Sequence, residues 1–308
     1  MTAARGLLVV EPGLLTTVQD LGRRGWASFG VPTAGALDEE ALRLANGLAG
    51  NAEGAAALEV TLVGPVLRAA GDLEIAVAGG AFGPAPGKAL RLGDGELVPL
   101  AAAAGATRAI VAVGGGIDVP LVLGSRSTCL SGHFGGFQGR RLLRGDFLSV
   151  FPASSSSLVE ARADLPQPGA GDVVLRAFAG LHEAEFGTGA RAVFWDTSWK
   201  ILAESNRMGL RLSGPSLGLV ETASRASEGS TPGTVQVTAD GHPIVLLGEG
   251  PTTGGYPKIA VVAAADLGLL ARTPPGRTVR FERISLAEAR SLFAAREARL
   301  RAFFGERT

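Results

Sequence analysis

The sequence predicts a mainly β protein, β with a few helices, and three observations carry that expectation. Forty-five glycines and seventeen prolines are spread along the whole chain, which suits many short strands joined by tight turns. Apolar runs such as LEIAVAGG, RAIVAVGGG and HPIVLLG alternate with those turn signals, unlike the pattern of a disordered chain. An apolar content of 46% is ample for a core. A length of 308 residues suits one large or two medium domains, with two favoured.

Taken in order, Leu7 to Val10 reads as a first strand, with Glu11-Pro12-Gly13 as its turn. TTVQDLGRRGW follows, with Gln19, Asp20 and the Arg23/Arg24 pair between glycines. It reads either as a surface loop with solvated charges or as a backbone-rich loop presenting Gln19 and Arg23 to a ligand. Asp38 is placed to cap a helix whose first turn carries Glu39 and Glu40, where the helix dipole favours negative charge. Leu37, Ala41, Leu44, Ala45 and Leu48 recur at helical spacing, and Gly50-Asn51 ends the pattern. Asn46 falls inside that helix, where its propensity is poor. Its side chain either faces solvent or holds neighbouring backbone or a ligand.

Leu58 to Leu62 and Leu67 flank Gly64-Pro65 as two short strands. Glu59, within the first, must be edge-facing, paired or functional, because burial without a partner is costly. Leu73–Ala78, Glu96–Leu100 and Ala109–Val113 continue the strand series. Gly114-Gly115-Gly116 and Gly87-Lys88 fit neither dinucleotide nor Walker patterns, so neither points to a nucleotide. Ser131–Leu142 is a glycine-punctuated loop with His133, read as structural or exposed in preference to an acid–base group. Ala153–Gly171, rich in Ser, Pro and Gly, is the expected linker between domains. FWDTSWK (Phe194–Lys200) holds two of the three tryptophans and should serve a core or an interface. Val279–Arg283 reads as a closing strand, and Ser285 with Glu288 as the capping box of a last helix. Leu286, Phe293, Leu300 and Phe304 lie on one stripe of that helix, with a solvated Arg-rich face opposite.

Several function classes are disfavoured. A formal net charge of zero draws the chain to neither nucleic acid nor an anionic membrane. The lone Cys129 gives no internal disulfide framework and no thiolate metal cage. His133, His182 and His242 lie far apart without metal-ligand spacing, so no metal site is expected. No window approaches the roughly 20 apolar residues that span a bilayer, and the N-terminal stretch is not a convincing signal peptide. A cytoplasmic protein is the default expectation.

One stretch, Glu204 to Lys258, gathers residue types the chain otherwise avoids. It holds the only tyrosine, Tyr256, one of three lysines, Lys258, and one of three asparagines, Asn206. Gln236 is one of four glutamines, and Met208 the only methionine after Met1. Arg207 offers a planar fork suited to a carboxylate or phosphate. Gly254-Gly255 lets backbone N–H groups approach a ligand, while Thr252, Thr253 and Tyr256 add hydroxyls, and Pro257 stiffens the turn that aims Lys258. Such a set can bind a small anionic carbonyl compound and stabilise charge developing on its oxygen. The same residues also fit a tight hairpin with a capping Arg and a snorkelling Lys.

The blocks TVQDLGRRGWASFGVPTAGALDEEALRLANGLAGN, ALEVTLVGP, SNRMGLRLSGP, SEGSTPGTVQV and TTGGYPK resemble, in that order, the biotin-dependent carboxyltransferase-like family. Its free-standing bacterial members resemble the C subunit of ATP-dependent 5-oxoprolinase, formerly called allophanate hydrolase subunit 2. The likeness runs from about Gly6 to Phe281. It implies two cyclophilin-like β-barrel subdomains, over 1–160 and 171–284, and a C-terminal helix over 285–308. One departure is visible: family members often carry Asp and Gln just before TTGGYP, whereas this chain reads GEGP, with Glu249 as the nearest carboxylate.

The resemblance further implies a protein that works with a smaller B subunit and an A subunit. The complex would open the 5-oxoproline lactam to glutamate with cleavage of ATP, which activates an otherwise unreactive amide. In that expectation Lys258 and Arg207 hold the substrate carboxylate or the activated oxygen, and Tyr256, Asn206 and Gln236 orient the ring beside Thr253, Gly254 and Gly255. Gln19, Arg23, Asp38, Asn46 and Glu59 form a second group of candidate binding residues. Two other functions are compatible with the resemblance. One is the carboxyltransferase component of a biotin-dependent urea or amide carboxylase; there is no Met-Lys-Met site and hence no covalent biotin on this chain. The other is a regulatory protein that antagonises a sporulation-kinase inhibitor.

Overall fold

The computed structural model describes residues 5–103, 105–153, 162–218 and 226–305. Of the expected linker, residues 154–161 lie outside the described residues, as do 306–308 of the expected last helix. The described chain divides into two compact units. One holds the chain up to Arg24, Ala34–Gln167 and the end from Leu300; the other holds Gly25–Thr33 and Pro168–Arg299.

In the first unit the order is β1 (Gly6–Glu11), β2 (Leu15–Gln19), α1 (Glu39–Leu48), β3 (Ala57–Thr61), β4 (Val66–Ala70) and β5 (Leu73–Gly79). β6 (Ala89–Leu92), β7 (Leu97–Pro99), β8 (Arg108–Val113) and β9 (Phe147–Ser149) complete it. The strands form a four-stranded sheet, β7-β4-β1-β9, and a five-stranded sheet, β2-β3-β8-β5-β6. Period-two alternation explains how they pack. Ile75 and Val77 of β5 and Val111 and Val113 of β8 meet Leu7, Val9, Leu67 and Ala69 of the other sheet in one core. The intervening Ala76, Ala78, Ile110 and Ala112 face α1, where Ala41, Leu42, Ala45 and Leu48 are buried against them. Small alanines on that face let the helix sit close to the sheet. Both faces of β5 and β8 are thus buried, and their sequences read as continuous apolar runs.

In the second unit come β10 (Val173–Ala179), α2 (Thr188–Asp196), β11 (Ser198–Ile201), β12 (Gly209–Ser213), β13 (Glu228–Gly229) and β14 (Thr234–Val237). They are followed by β15 (Pro243–Leu246), β16 (Thr253–Gly254), β17 (Lys258–Val262), α3 (Leu267–Arg272), β18 (Thr278–Arg283) and α4 (Leu286–Gly305), whose residues from Leu300 on are counted with the first unit. Seven strands close a barrel in the order β10-β17-β14-β15-β12-β11-β18. Its closing pair, β10 with β18, is parallel, and closure leaves those strands no open edge. The FWDTSWK segment supplies core: Phe194 and Trp199 are fully buried, and Phe194 stacks on Phe281 at 4.8 Å between centroids.

The capping box forms as the sequence predicts. Glu288 accepts the Ser285 N–H at 2.7 Å, Ser285 Oγ accepts the Glu288 N–H at 3.2 Å, and these bonds hold the Glu288 carboxyl below its ordinary value. The apolar stripe of α4 is covered only in part. Leu300 is buried, yet Leu286 and Phe293 are about half exposed. The Arg-rich face also departs from expectation at Arg296, which is buried; it lies over the Phe293 ring and donates to Ala264 O at 3.1 Å. No described helix is long and apolar enough to cross a membrane.

Candidate functional site

In the second unit, β-structure gathers part of the rare-residue stretch. β14 runs antiparallel to β17 with Gln236 opposite Lys258, and the pairing shifts between Val235 and Gln236. An irregularity of this kind re-aims side chains at a strand end. Beside it, β13 and β16 form a two-stranded ribbon in which Glu228 faces Gly254 and Gly229 faces Thr253. A Cβ at position 254 would stand 2.7 Å from Gln236 Nε2, so a side chain there would displace the Gln236 amide. The Gln236 amide donates to Ser230 Oγ at 3.3 Å, so the ribbon and the barrel strand meet through Gln236.

Lys258, the first residue of β17, is buried. Its Nζ donates to Glu228 Oε2 at 3.1 Å. His182 Nε2 lies 3.2 Å from the same oxygen, and His182 Nδ1 accepts the Lys258 backbone N–H at 3.0 Å. The side chain of Lys258 is 6% exposed against 38% for Glu228, so solvent meets the pair on its carboxylate side. Tyr256 and Thr253 are exposed, and Gly255 is partly buried. An ammonium held this way, with hydroxyls and glycine backbone nearby in the chain, can receive an anionic oxygen without reorganising.

Arg207 and Asn206 belong to a different local arrangement. Arg207 Nε contacts Glu249 Oε1 at 2.5 Å, with both side chains nearly fully buried. The Glu249 N–H donates to Arg207 O at 3.1 Å, so the two residues are tied through backbone and side chain alike. Glu249 is the carboxylate of the GEGP departure. Asn206 is exposed, and its Oδ1 accepts the Met208 N–H at 2.8 Å, a local side-chain turn.

The second candidate group lies in the first unit. Gln19 and Arg23 are buried, which corrects the surface-loop reading for them; Arg24 alone is well exposed. Gln19 Nε2 donates to Thr17 Oγ1 at 3.0 Å and Thr128 O at 3.2 Å. Arg23 donates to Ser127 O and lies 4.8 Å from the Phe134 ring centroid. Carbonyls and an aromatic face thus replace water around the guanidinium. Asp38 caps α1 by accepting the Ala41 N–H at 3.0 Å. Asn46 is buried and donates to Ala55 O at 2.8 Å and Glu53 O at 3.2 Å. Glu59 accepts the Leu37 N–H at 2.7 Å and lies 3.4 Å from Arg108 Nε. His133 is exposed with φ of 55°.

His182 and Glu228 are the site residues that sequence reasoning did not single out. They stand 76 and 30 positions from Lys258, and no local spacing signals their meeting. Glu228 does fall within the SEGSTPGTVQV block.

The fold is shared with known proteins. The family described as carboxyltransferase domain, subdomain A and B, matches residues 29–283, and the chain belongs to it. The chain is 39% identical over 296 residues to the C subunit of 5-oxoprolinase from Escherichia coli (strain K12), covering 92% of this chain and 93% of that protein. It is 35% identical over 289 residues to the C subunit of 5-oxoprolinase from Haemophilus influenzae (strain ATCC 51907 / DSM 11121 / KW20 / Rd), covering 90% of each. Among solved structures it is similar to the K. lactis urea amidolyase, with a TM-score of 0.91 and 31% identity. That likeness covers 98% of this chain and 20% of the urea amidolyase chain.

Proposed function

We propose that this chain is the C component of an ATP-dependent 5-oxoprolinase, a complex that hydrolyses 5-oxo-L-proline to L-glutamate. The observation that carries the proposal is the match with the C subunit of E. coli 5-oxoprolinase over 93% of that protein's length. The site suits the chemistry. The substrate brings a carboxylate, and attack on its lactam places negative charge on the carbonyl oxygen, so a pre-held ammonium favours the transition state. Lys258 is that ammonium, with Glu228 as its resting partner at 3.1 Å. Tyr256, Thr253 and the backbone at Gly254-Gly255 orient the ring, with Gln236 flanking it. The Arg207–Glu249 pair holds the adjoining 206–209 and 247–250 turns together.

Cleavage of ATP supplies the activation that an amide with a poor leaving group lacks. The glycine turns of this chain are already engaged: the Gly115 N–H donates to Asn51 Oδ1 at 2.8 Å, the Gly116 N–H to Val113 O at 2.8 Å and the Gly87 N–H to Val77 O at 2.9 Å. In this reading ATP acts on the complex formed with the A and B subunits in the cytoplasm. Gln19, Arg23, Asp38, Asn46 and Glu59 act in this reading as the framework of the first unit.

A second reading is favoured by the TM-score of 0.91 to the K. lactis urea amidolyase: carboxyl transfer to urea or another amide, with biotin carried by another protein. Glutamate release from 5-oxoproline plus ATP, measured on the co-expressed components with and without this chain, separates the two. Release that requires this chain supports the oxoprolinase reading. A stable complex without release overturns it.

A further inference from the structure

Lysine is the most flexible cation available to a protein, with four side-chain torsions and about 2 kcal/mol of rotamer entropy. A catalytic lysine therefore needs something to hold it. In this chain the restraint comes from a segment 76 residues away. The turn after β10, Gly180 to His182, is pressed onto the start of β17. The Gly180 N–H donates to Ile259 O at 2.9 Å and the His182 N–H to Lys258 O at 3.0 Å. The approach depends on Gly180, because a Cβ there would run into the Lys258 carbonyl oxygen.

The turn delivers the His182 imidazole, which is buried, against both ends of Lys258. Nδ1 accepts the backbone N–H of Lys258 at 3.0 Å. A nitrogen that accepts carries no proton, so the neutral ring holds its proton on Nε2. That nitrogen lies 3.2 Å from Glu228 Oε2, the oxygen that also accepts from Lys258 Nζ at 3.1 Å. The contacts close a ring: Lys258 N–H to His182, His182 to Glu228, Glu228 to Lys258 Nζ, and back along the lysine side chain.

We propose that His182 is a positioning residue for Lys258, fixing the ammonium through Glu228 while its own tautomer is fixed by the Lys258 backbone. This rests on the reading of Lys258 as the group that receives substrate charge. His182 itself touches no substrate. Its role is to keep Glu228 Oε2 at one place, so that Nζ has one resting position and the same direction of approach at each turnover.

The test uses the assembled enzyme with His182→Asn, which keeps an acceptor for the Lys258 N–H but loses the donor to Glu228, and Lys258→Ala beside it. We expect His182→Asn to assemble and bind substrate with little change in KM, while kcat falls about tenfold to a hundredfold, the loss typical of a catalytic group displaced by up to 1 Å. His182→Gln, whose amide can reach Glu228, should recover part of kcat. A second readout needs no turnover. Competitive acetylation with acetic anhydride compares Lys258 with the exposed Lys88 and Lys200 as internal standards, and the relative rate at Lys258 should rise in His182→Asn. The proposal is overturned if Lys258→Ala is inactive while His182→Asn keeps wild-type kcat and acetylation. It is equally overturned if the ring nitrogen shifts of His182 in NMR show the proton on Nδ1. Full activity of Lys258→Ala would instead remove the catalytic reading of Lys258, and the acetylation rates with the His182 shifts would then decide the hydrogen-bonded ring by themselves.

Discussion

Two ion pairs of the second unit differ in burial, and that difference separates their roles. Arg207 and Glu249 are 3% and 1% exposed at their side chains, and a charge left alone there has no water to turn to. Arg207→Met should therefore destabilise the chain by about 3–5 kcal/mol in urea denaturation, because Glu249 stays behind as a buried charge. Replacing both, as Arg207→Met with Glu249→Leu, should restore most of that loss, since two apolar groups of similar volume remove the desolvation problem. A double variant no more stable than the single one would show that the pair is needed for more than mutual neutralisation. Lys258 behaves differently because its partner Glu228 is 38% exposed. Lys258→Ala leaves a carboxylate that water can solvate, so its melting temperature should stay near wild type. Its kcat in the assembled enzyme should fall by about a hundredfold to a thousandfold, the scale of removing one charge-stabilising donor.

Among the elements, α1 shows how a candidate binding residue can be fully occupied by folding. Asp38 caps the helix at 3.0 Å, so Asp38→Ala should lower stability by about 1 kcal/mol while leaving turnover of the assembled enzyme unchanged. A large loss of turnover without loss of stability would restore Asp38 to the binding group. The turn before β9 gives a pH signature. Arg140 binds Asp146 at 2.7 and 2.9 Å, and that hydrogen bond, with the Leu143 N–H, holds the Asp146 carboxyl below its ordinary value. A depressed carboxyl stabilises the fold above the unfolded value of about 3.9, and its contribution disappears as pH falls through the folded value. Asp146→Asn should thus melt lower than wild type at pH 7, with the gap closing as pH falls below about 4. Elements with local signals were legible in the sequence: α1 carries its cap, its acidic first turn and its apolar period within a dozen residues. α2 carried none of these. It starts after Gly187 with no side-chain cap and buries only Phe194, so there was no stripe to read. The same division holds for the site. Gln236, Gly254 and Lys258 stand within one stretch of rare residues, whereas His182 reaches Lys258 only because β10 and β17 pair.

At the scale of the whole molecule, biotin separates lactam hydrolysis from carboxyl transfer. The chain spans 93% of the C subunit of E. coli 5-oxoprolinase but 20% of the K. lactis urea amidolyase. Carboxyl transfer would require biotin held outside these 308 residues, because none of Lys88, Lys200 and Lys258 lies between methionines. Biotin is sequestered by avidin-type proteins with an affinity near the practical limit for non-covalent binding. ATP-driven lactam opening contains no biotin step. Glutamate release by the purified assembly should therefore be unchanged by excess avidin and by removal of bicarbonate. Avidin presaturated with free biotin serves as the control for non-specific effects. Turnover that is lost with avidin and kept with the presaturated protein would show that biotin is in the reaction path, and the chain would then act on an amide by carboxyl transfer.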